Sequence, residues 1–132
     1  MRIFKACIAE RVPDALFLSS SANEGVGDGD IMEMGVRLAQ DVRQFIAEWC
    51  PGNELAKISF IGHSLGGLVI RAALPYLEEI SNKMHLYMSL SSPHLGYSFN
   101  SNGLVKLGLW VLKKFKKNNV MKQLTFADAK DP

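Results

Sequence analysis

The stretch KISFIGHSLGGLVIRAAL, residues 57–74, determines the fold class of this chain. Its first six residues, KISFIG, form an apolar run of strand length and therefore predict a buried strand. Apolar side chains recur at helical spacing after Ser64, so we expect a helix to begin there. Pro75 should kink this helix or start a new turn, because proline lacks a backbone donor and clashes one turn back. The face expected to pack on the sheet consists of Leu65, Leu68, Val69, Ala72, Tyr76 and Ile80.

Two helices and a strand are predicted before this stretch. A first helix should end before Pro13, and the apolar run ALFLS, residues 15–19, has the length of a strand. Asp30 can cap a second helix, with Glu33 completing a capping box, and PGN from Pro51 stops that helix. Its apolar face consists of Ile31, Leu38, Val42, Phe45, Ile46 and Trp49.

After the central stretch, MHLYMSL at residues 84–90 predicts a third strand, and an amphipathic helix is predicted over residues 104–117. Helices and strands therefore alternate along the whole chain. Such alternation indicates right-handed crossovers between parallel strands. We expect an α/β fold with a parallel sheet of about three strands and helices on both of its faces. Ligands bind such sheets at the carboxyl ends of the strands.

Size and composition indicate one globular domain over residues 1–132. Apolar residues make up 48% of the chain and charged residues 21%, without repeats or low-complexity segments. Cys7 and Cys50 lack the neighbouring ligands of a zinc site or a disulfide framework, so we expect buried, reduced thiols. The amino-terminal residues do not resemble a signal peptide, and no apolar run is long enough to cross a bilayer. An intracellular, cytoplasmic location is expected.

The motif that carries chemistry is G-x-S-x-G, formed by Gly62, Ser64 and Gly66 at the predicted junction of strand and helix. This context predicts a nucleophile elbow, a sharp turn that holds a serine hydroxyl above the sheet. The turn is strained, and neighbours without side chains have to leave room for it. We expect Gly62 and Gly66 to provide that clearance, and Gly67 to add to it. The alternative is a Gly-Ser turn that serves packing alone.

A second catalytic group is predicted from the same turn. The backbone N–H of Leu65 lies at the amino terminus of the predicted helix and should point to where an oxyanion would form beside Ser64. Serine alone is a weak nucleophile at neutral pH and needs a histidine base oriented by a carboxylate. Ser64 and Leu65 are therefore the predicted catalytic residues, and a base has to join them.

The segments FIGHSLGGLVIRAAL and LSSPHLG, with DALFLSSSANEG upstream and QLTFADA downstream, resemble the family named "putative serine esterase", lipase-like α/β-hydrolases of the DUF type. The resemblance covers nearly the whole chain, with these segments in the family's order. It implies a partial α/β-hydrolase fold, a nucleophile at Ser64, and lipid or other carboxylic esters as substrates. The family's His-Gly loop would precede Met1, and its triad acid and histidine would follow Pro132.

The remaining histidines and acids are weaker candidates for the triad. Asp128 and Asp131 are the acids beyond the third strand, and His85 lies inside that strand, where a buried or sheet-lining role is expected. His63 should point away from the nucleophile and serve packing or a supporting hydrogen bond. The resemblance makes His94, with Leu95, part of the substrate pocket, although a role as the base stays open for His94.

Two other signals have simpler explanations. In GVGDGD, Asp30 takes the place of the third glycine of a dinucleotide motif and would repel a pyrophosphate, so we expect a crossover loop with no cofactor and no metal.

Residues 1–82 carry seven basic and eleven acidic groups, whereas residues 83–132 carry eight basic and two acidic groups. Five of those basic groups, Lys106, Lys113, Lys114, Lys116 and Lys117, lie in the helix predicted at 104–117.

That basic helix has an apolar face formed by Leu104, Leu107, Val111, Leu112 and Phe115, with Trp110 toward the polar side. It could lie on an anionic membrane surface or form a lid, but a sheet-covering helix with a solvated lysine face is the simpler interpretation. No motif for nucleic-acid binding accompanies the charge. Two functions remain: a serine ester hydrolase, or a catalytically silent truncated hydrolase domain acting as an interaction subunit. In the second, a partner chain would complete the sheet by pairing with its open edges.

Overall fold

The computed structural model describes residues 2–25, 30–52, 54–95 and 123. This part of the chain contains three α-helices, one 3-10 segment and two strands. In chain order the elements are α1 (Arg2–Arg11), α2 (Ile31–Trp49), β1 (Ile58–His63), α3 (Leu65–Ala73), the 3-10 segment (Leu74–Lys83) and β2 (Met84–Leu90). No helix among the described residues combines the length and the apolar character that a membrane span requires.

The two strands are parallel neighbours joined by α3 and the 3-10 segment. Phe60 pairs with Tyr87, Gly62 with Ser89 and His63 with Leu90, after an irregularity in register at the start of β1. Paired residues of adjacent strands point to the same side of a sheet. The carboxyl ends of both strands consequently lie side by side, directly before Ser64 and Ser91.

Helix α2 begins as the sequence predicts. The carboxylate of Asp30 accepts a hydrogen bond of 2.7 Å from the backbone N–H of Glu33, which satisfies one of the free donors at the helix start. The side chain of Glu33 instead lies 3.9 Å from the guanidinium of Arg37, one turn further on. Asp30 therefore supplies the N-cap, and the return arm of a capping box is not formed among the described residues.

The core lies between α2, α3 and one face of the sheet. Helices α2 and α3 approach closely at Gly35, where a Cβ atom would lie 2.7 Å from the backbone carbon of Ala72. Glycine is needed there because any side chain would push the two helices apart. The buried hydrophobic residues that form this core are Met34, Leu38, Ala39, Val42, Phe60, Leu65, Val69, Ile70, Ala73 and Leu77.

The strand predicted at residues 15–19 is not found, so the described residues contain two of the three predicted strands. The segment has no assigned strand, and Leu16 and Leu18 expose 53% and 37% of their surface. An apolar run of this length indicates an extended chain, but a strand also needs a neighbour to receive its backbone hydrogen bonds. Among the described residues, the sheet contains β1 and β2 alone.

Two predicted helix faces are wrong at their ends. Trp49 in the last turn of α2 is 55% exposed and stacks on Phe45. The α-helix ends at Ala73, and the 3-10 segment that begins at Leu74 has non-helical backbone at Leu77 and Ile80, which shifts the rotational phase of the side chains. Tyr76, expected to face the sheet, is 39% exposed, whereas Leu77 is fully buried. Pro75 therefore acts as predicted, and its break explains the shift.

The described helices cover one face of the sheet and leave the other open. Leu86 and Met88 point to that second face from β2 and are 45% and 36% exposed. Coverage of both faces is thus not found in the described part of the chain, and the helix predicted at 104–117 lies outside it. Cys7 is exposed on α1, contrary to the prediction, and Cys50 is half-buried.

Candidate active site

Ser64 occupies the single residue between β1 and α3, and its backbone is strained. Its φ of 55° and ψ of −124° lie outside the regions that side-chain-bearing residues ordinarily adopt. Such a conformation costs on the order of 1–3 kcal/mol and persists only where the surroundings enforce it. Ser64 is also buried, so the strained turn lies within packed structure.

Two glycines make this turn sterically feasible. A Cβ atom on Gly62 would lie 2.6 Å from the backbone nitrogen of Gly67, so the strand and the first turn of α3 touch through bare backbone. A Cβ atom on Gly67 would lie 2.1 Å from Ser92 Oγ and 2.5 Å from Ser89 Oγ. The clearance expected of Gly66 is not found, because a Cβ atom on Gly66 would have no described atom within 4 Å.

Backbone hydrogen bonds hold Ser64 from both sides. Its N–H donates to the carbonyl of Leu90 at the end of β2 over 2.8 Å, and its own carbonyl accepts from the N–H of Gly67 over 3.1 Å. Leu65 follows as the first residue of α3. The first N–H groups of a helix have no acceptor within the helix and carry its positive dipole end. The turn thus combines a serine hydroxyl with an adjacent backbone donor.

The loop after β2 packs against the same turn. Ser91 has a φ of 52°, a second strained serine directly beyond a strand end. The Ser89 hydroxyl and His94 Nε2 form a hydrogen bond of 2.6 Å, and the Tyr87 hydroxyl donates to the carbonyl of Gly67 over 2.6 Å. Sequence reasoning did not identify Tyr87 and Ser89. Their two-residue spacing on one face of β2 was the available signal, but their contact with Gly67 depends on strand register.

None of the described histidines forms a hydrogen bond with the Ser64 hydroxyl. His63 and His85 are exposed, so the buried or packed roles expected of them are not found. His94 is half-buried and uses Nε2 for Ser89. Leu95, the other predicted pocket residue, is 90% exposed. No described carboxylate or histidine hydrogen-bonds with Ser64 Oγ. Asp128 and Asp131 lie outside the described residues.

A shallow groove of about 370 Å³ lies elsewhere, between the end of α2 and the 3-10 segment. Arg43 and Glu79 form an ion pair at its rim, and Arg43 also donates to the carbonyl of Tyr76. The hydrogen bond from Arg43 lowers the pKa of Glu79 below its ordinary value. The same hydrogen bond, donated to the Glu79 carboxylate, raises the pKa of Arg43. This charged contact connects two elements and does not involve Ser64.

Comparison with known proteins identifies the family. The sequence profile of the family described as "Putative serine esterase (DUF676)" matches residues 1–131. The chain belongs to this family. Because the match extends over nearly every residue, Ser64 and the turn around it lie within the family's homologous region. The resemblance expected from the quoted segments is confirmed.

A curated relative points in the same direction. The chain is 32% identical over 81 residues to "Putative lipase ROG1" of Saccharomyces cerevisiae, an alignment that covers 56% of this chain and 11% of that protein. The chain thus spans about a tenth of the length of this relative. No solved structure gives a significant match to the chain.

Proposed function

We propose that this protein is a serine ester hydrolase in which Ser64 is the nucleophile. The observation that carries the proposal is the backbone conformation of Ser64, with φ 55° and ψ −124° between a parallel strand and a helix. A strand, a strained serine and a helix in this order are the context of a nucleophile elbow. On this proposal the two described strands belong to a partial α/β-hydrolase fold.

Each group of the turn has a role in the proposed reaction. Ser64 Oγ attacks the ester carbonyl carbon, and the carbonyl oxygen becomes an oxyanion stabilised by the N–H of Leu65. The tetrahedral intermediate collapses to an acyl-serine and releases the alcohol, which takes up a proton. Water then attacks the acyl carbon, the bond from that carbon to Ser64 Oγ breaks, and the carboxylic acid leaves as the Ser64 hydroxyl is regenerated. One backbone donor of this kind is worth a factor of about 10² to 10³ in rate.

A general base has to take the proton from Ser64, and we propose that it lies outside residues 1–132, because the three histidines of the sequence are His63, His85 and His94. His94 is hydrogen-bonded with Ser89, and no described histidine forms a hydrogen bond with Ser64 Oγ. In α/β-hydrolases the acid and the histidine follow the nucleophile in chain order. This arrangement supports a source of both groups on the carboxyl-terminal side of β2.

The proposed substrates are carboxylic esters, with lipid esters as the favoured class. The family's description as serine esterases and the relative's name as a lipase support this choice. A basic, amphipathic helix predicted at residues 104–117 would help a lipid hydrolase reach an anionic membrane surface. That contact stays a prediction from sequence.

Hydrolysis of p-nitrophenyl esters of increasing acyl length tests the proposal. The protein should release p-nitrophenol, with a preference for longer acyl chains if lipids are the substrates, and Ser64→Ala should abolish release. Ser91→Ala is a matched control, because it removes a serine hydroxyl from another residue with positive φ directly after a strand. Equal rates for the protein and Ser64→Ala would refute a nucleophilic role for Ser64.

A further inference from the structure

The strained backbone of Ser64 persists only if neighbouring residues hold it in place. Side chains of β2 and of the loop after it pack against this turn. Gly67 is the residue where these contacts meet. Its carbonyl accepts from Tyr87, its Cα faces the hydroxyls of Ser89 and Ser92, and its N–H donates to the carbonyl of Ser64. Whatever fixes Gly67 therefore fixes one of the two backbone hydrogen bonds that hold Ser64.

His94 ties this group of residues together from the loop. Its Nε2 hydrogen-bonds with Ser89 over 2.6 Å, and its ring lies edge-on to Tyr87 with 6.2 Å between ring centroids. Tyr87 and Ser89 are the two residues of β2 that contact Gly67. The imidazole thus touches both side chains that hold the first turn of α3.

We propose that His94 is a positioning residue, which fixes Ser89 and Tyr87 against Gly67 and thereby keeps Ser64 in its strained conformation. The consequence for reactivity rests on the proposed function of Ser64, whereas the consequence for the turn does not. His94 takes no proton from substrate on this proposal. Its role differs from that of a pocket residue, which would contact the substrate and change its affinity.

Three variants isolate the hydrogen bond from the ring contact. His94→Phe keeps an aromatic ring beside Tyr87 and removes the nitrogen that bonds with Ser89. His94→Gln places an amide nitrogen at a similar distance along the side chain and should restore the bond. Ser89→Ala removes the other partner. If His94 acts through Ser89, the double variant with His94→Phe and Ser89→Ala should be no worse than either single variant.

Amide hydrogen exchange at Gly67 measures the turn without any catalytic reaction. One net hydrogen bond of about 1 kcal/mol corresponds to a change of about fivefold, so exchange should accelerate about fivefold in His94→Phe and in Ser89→Ala. His94→Gln should exchange at nearly the original rate. Unchanged exchange in His94→Phe, or fully additive effects in the double variant, would overturn the proposal.

The rate of labelling by a fluorophosphonate, followed against probe concentration, measures the effect on Ser64. The maximal labelling rate should fall about fivefold in His94→Phe with the half-saturating probe concentration unchanged, because the turn and not the pocket is altered. A change in the half-saturating probe concentration alone would show that His94 contacts the probe in the pocket, and it would refute the positioning role of His94. If the unaltered protein resists labelling, the proposed function fails, and amide exchange at Gly67 still decides the role of His94.

Discussion

At the scale of a single residue, the central feature is a serine that the fold forces into an unfavourable conformation. Strain of this kind recurs at functional sites, where the gain in positioning offsets the loss in stability. Ser64 is held through its N–H by Leu90 and through its carbonyl by Gly67. Two consequences for stability follow, one for Ser64 itself and one for the glycines around it.

Replacing Ser64 by glycine should stabilise the protein relative to replacing it by alanine. Both variants lose the hydroxyl, but only glycine adopts a φ of 55° with a ψ of −124° without strain. Relief of about 1–3 kcal/mol of strain, less about 0.5–1 kcal/mol for the greater freedom of unfolded glycine, leaves Ser64→Gly ahead by about 1 kcal/mol. Urea denaturation of the two variants measures the difference. A more stable Ser64→Ala would contradict the strain.

Gly67→Ala and Gly66→Ala form a matched pair on adjacent residues of α3. The methyl group at position 67 would collide with the hydroxyls of Ser89 and Ser92, whereas no described atom lies within 4 Å of a Cβ atom at position 66. We expect Gly67→Ala to lower the free energy of unfolding by about 1–3 kcal/mol. Gly66→Ala should raise it by up to about 1 kcal/mol, because alanine favours the helix. Equal effects of the two variants in thermal denaturation would be inconsistent with the close approach.

At the scale of elements, two contacts position the site. Helix α2 rests on α3 through Gly35 and Ala72, and α3 rests on the sheet through Gly62 and Gly67. The ion pair of Arg43 and Glu79 connects α2 with the 3-10 segment that leads into β2. Backbone contact at these glycines fixes the distance between the two helices and between α3 and the sheet. Longer side chains at the same positions could pack at several distances. The ion pair is half exposed, and its contribution depends on pH.

Glu79→Gln should destabilise the protein at neutral pH and have little effect in acid. Arg43 lowers the pKa of Glu79 in the folded state, so the carboxylate adds stability above its ordinary pKa. That stability is lost as the pH falls through the lowered pKa. Glu78→Gln is the control, since it removes the same charge from a neighbouring exposed residue that has no described ion-pair partner. The urea midpoint of Glu79→Gln should lie below that of the unaltered protein at neutral pH, and the two midpoints should converge as the pH falls. A pH-independent difference would rule out the ion pair as its cause.

At the scale of the whole molecule, the sequence predicted the elements that are defined by their own residues. Strand β2 and the start of α3 follow from apolar patterns, and Asp30 caps α2 as its side chain requires. The strand predicted at residues 15–19 is not found, because a strand also needs a neighbouring strand to receive its backbone hydrogen bonds. The exposure of Tyr76 was missed because the phase of the chain after Pro75 depends on the geometry of the break.

The site was predictable to the same extent. The motif located Ser64, because the spacing of its glycines reflects local backbone geometry. The role of Gly67 and the contact between Ser89 and His94 require the register of β1 and β2 and the course of the following loop. Packing across strands is not encoded in the order of residues along one strand. The alternation of helices and strands and the position of Ser64 between a strand and a helix were therefore predictable, whereas the groups that hold the turn were not.

Mass spectrometry of the protein after treatment with a fluorophosphonate tests the central claim, that the strained turn presents Ser64 as an activated nucleophile. We predict one phosphonate adduct, located on Ser64 in the peptide that contains the turn, and none in Ser64→Ala. Heat-denatured protein should remain unlabelled, because the reactivity belongs to the fold. An adduct on another serine, or equal labelling of the denatured protein, would contradict the claim.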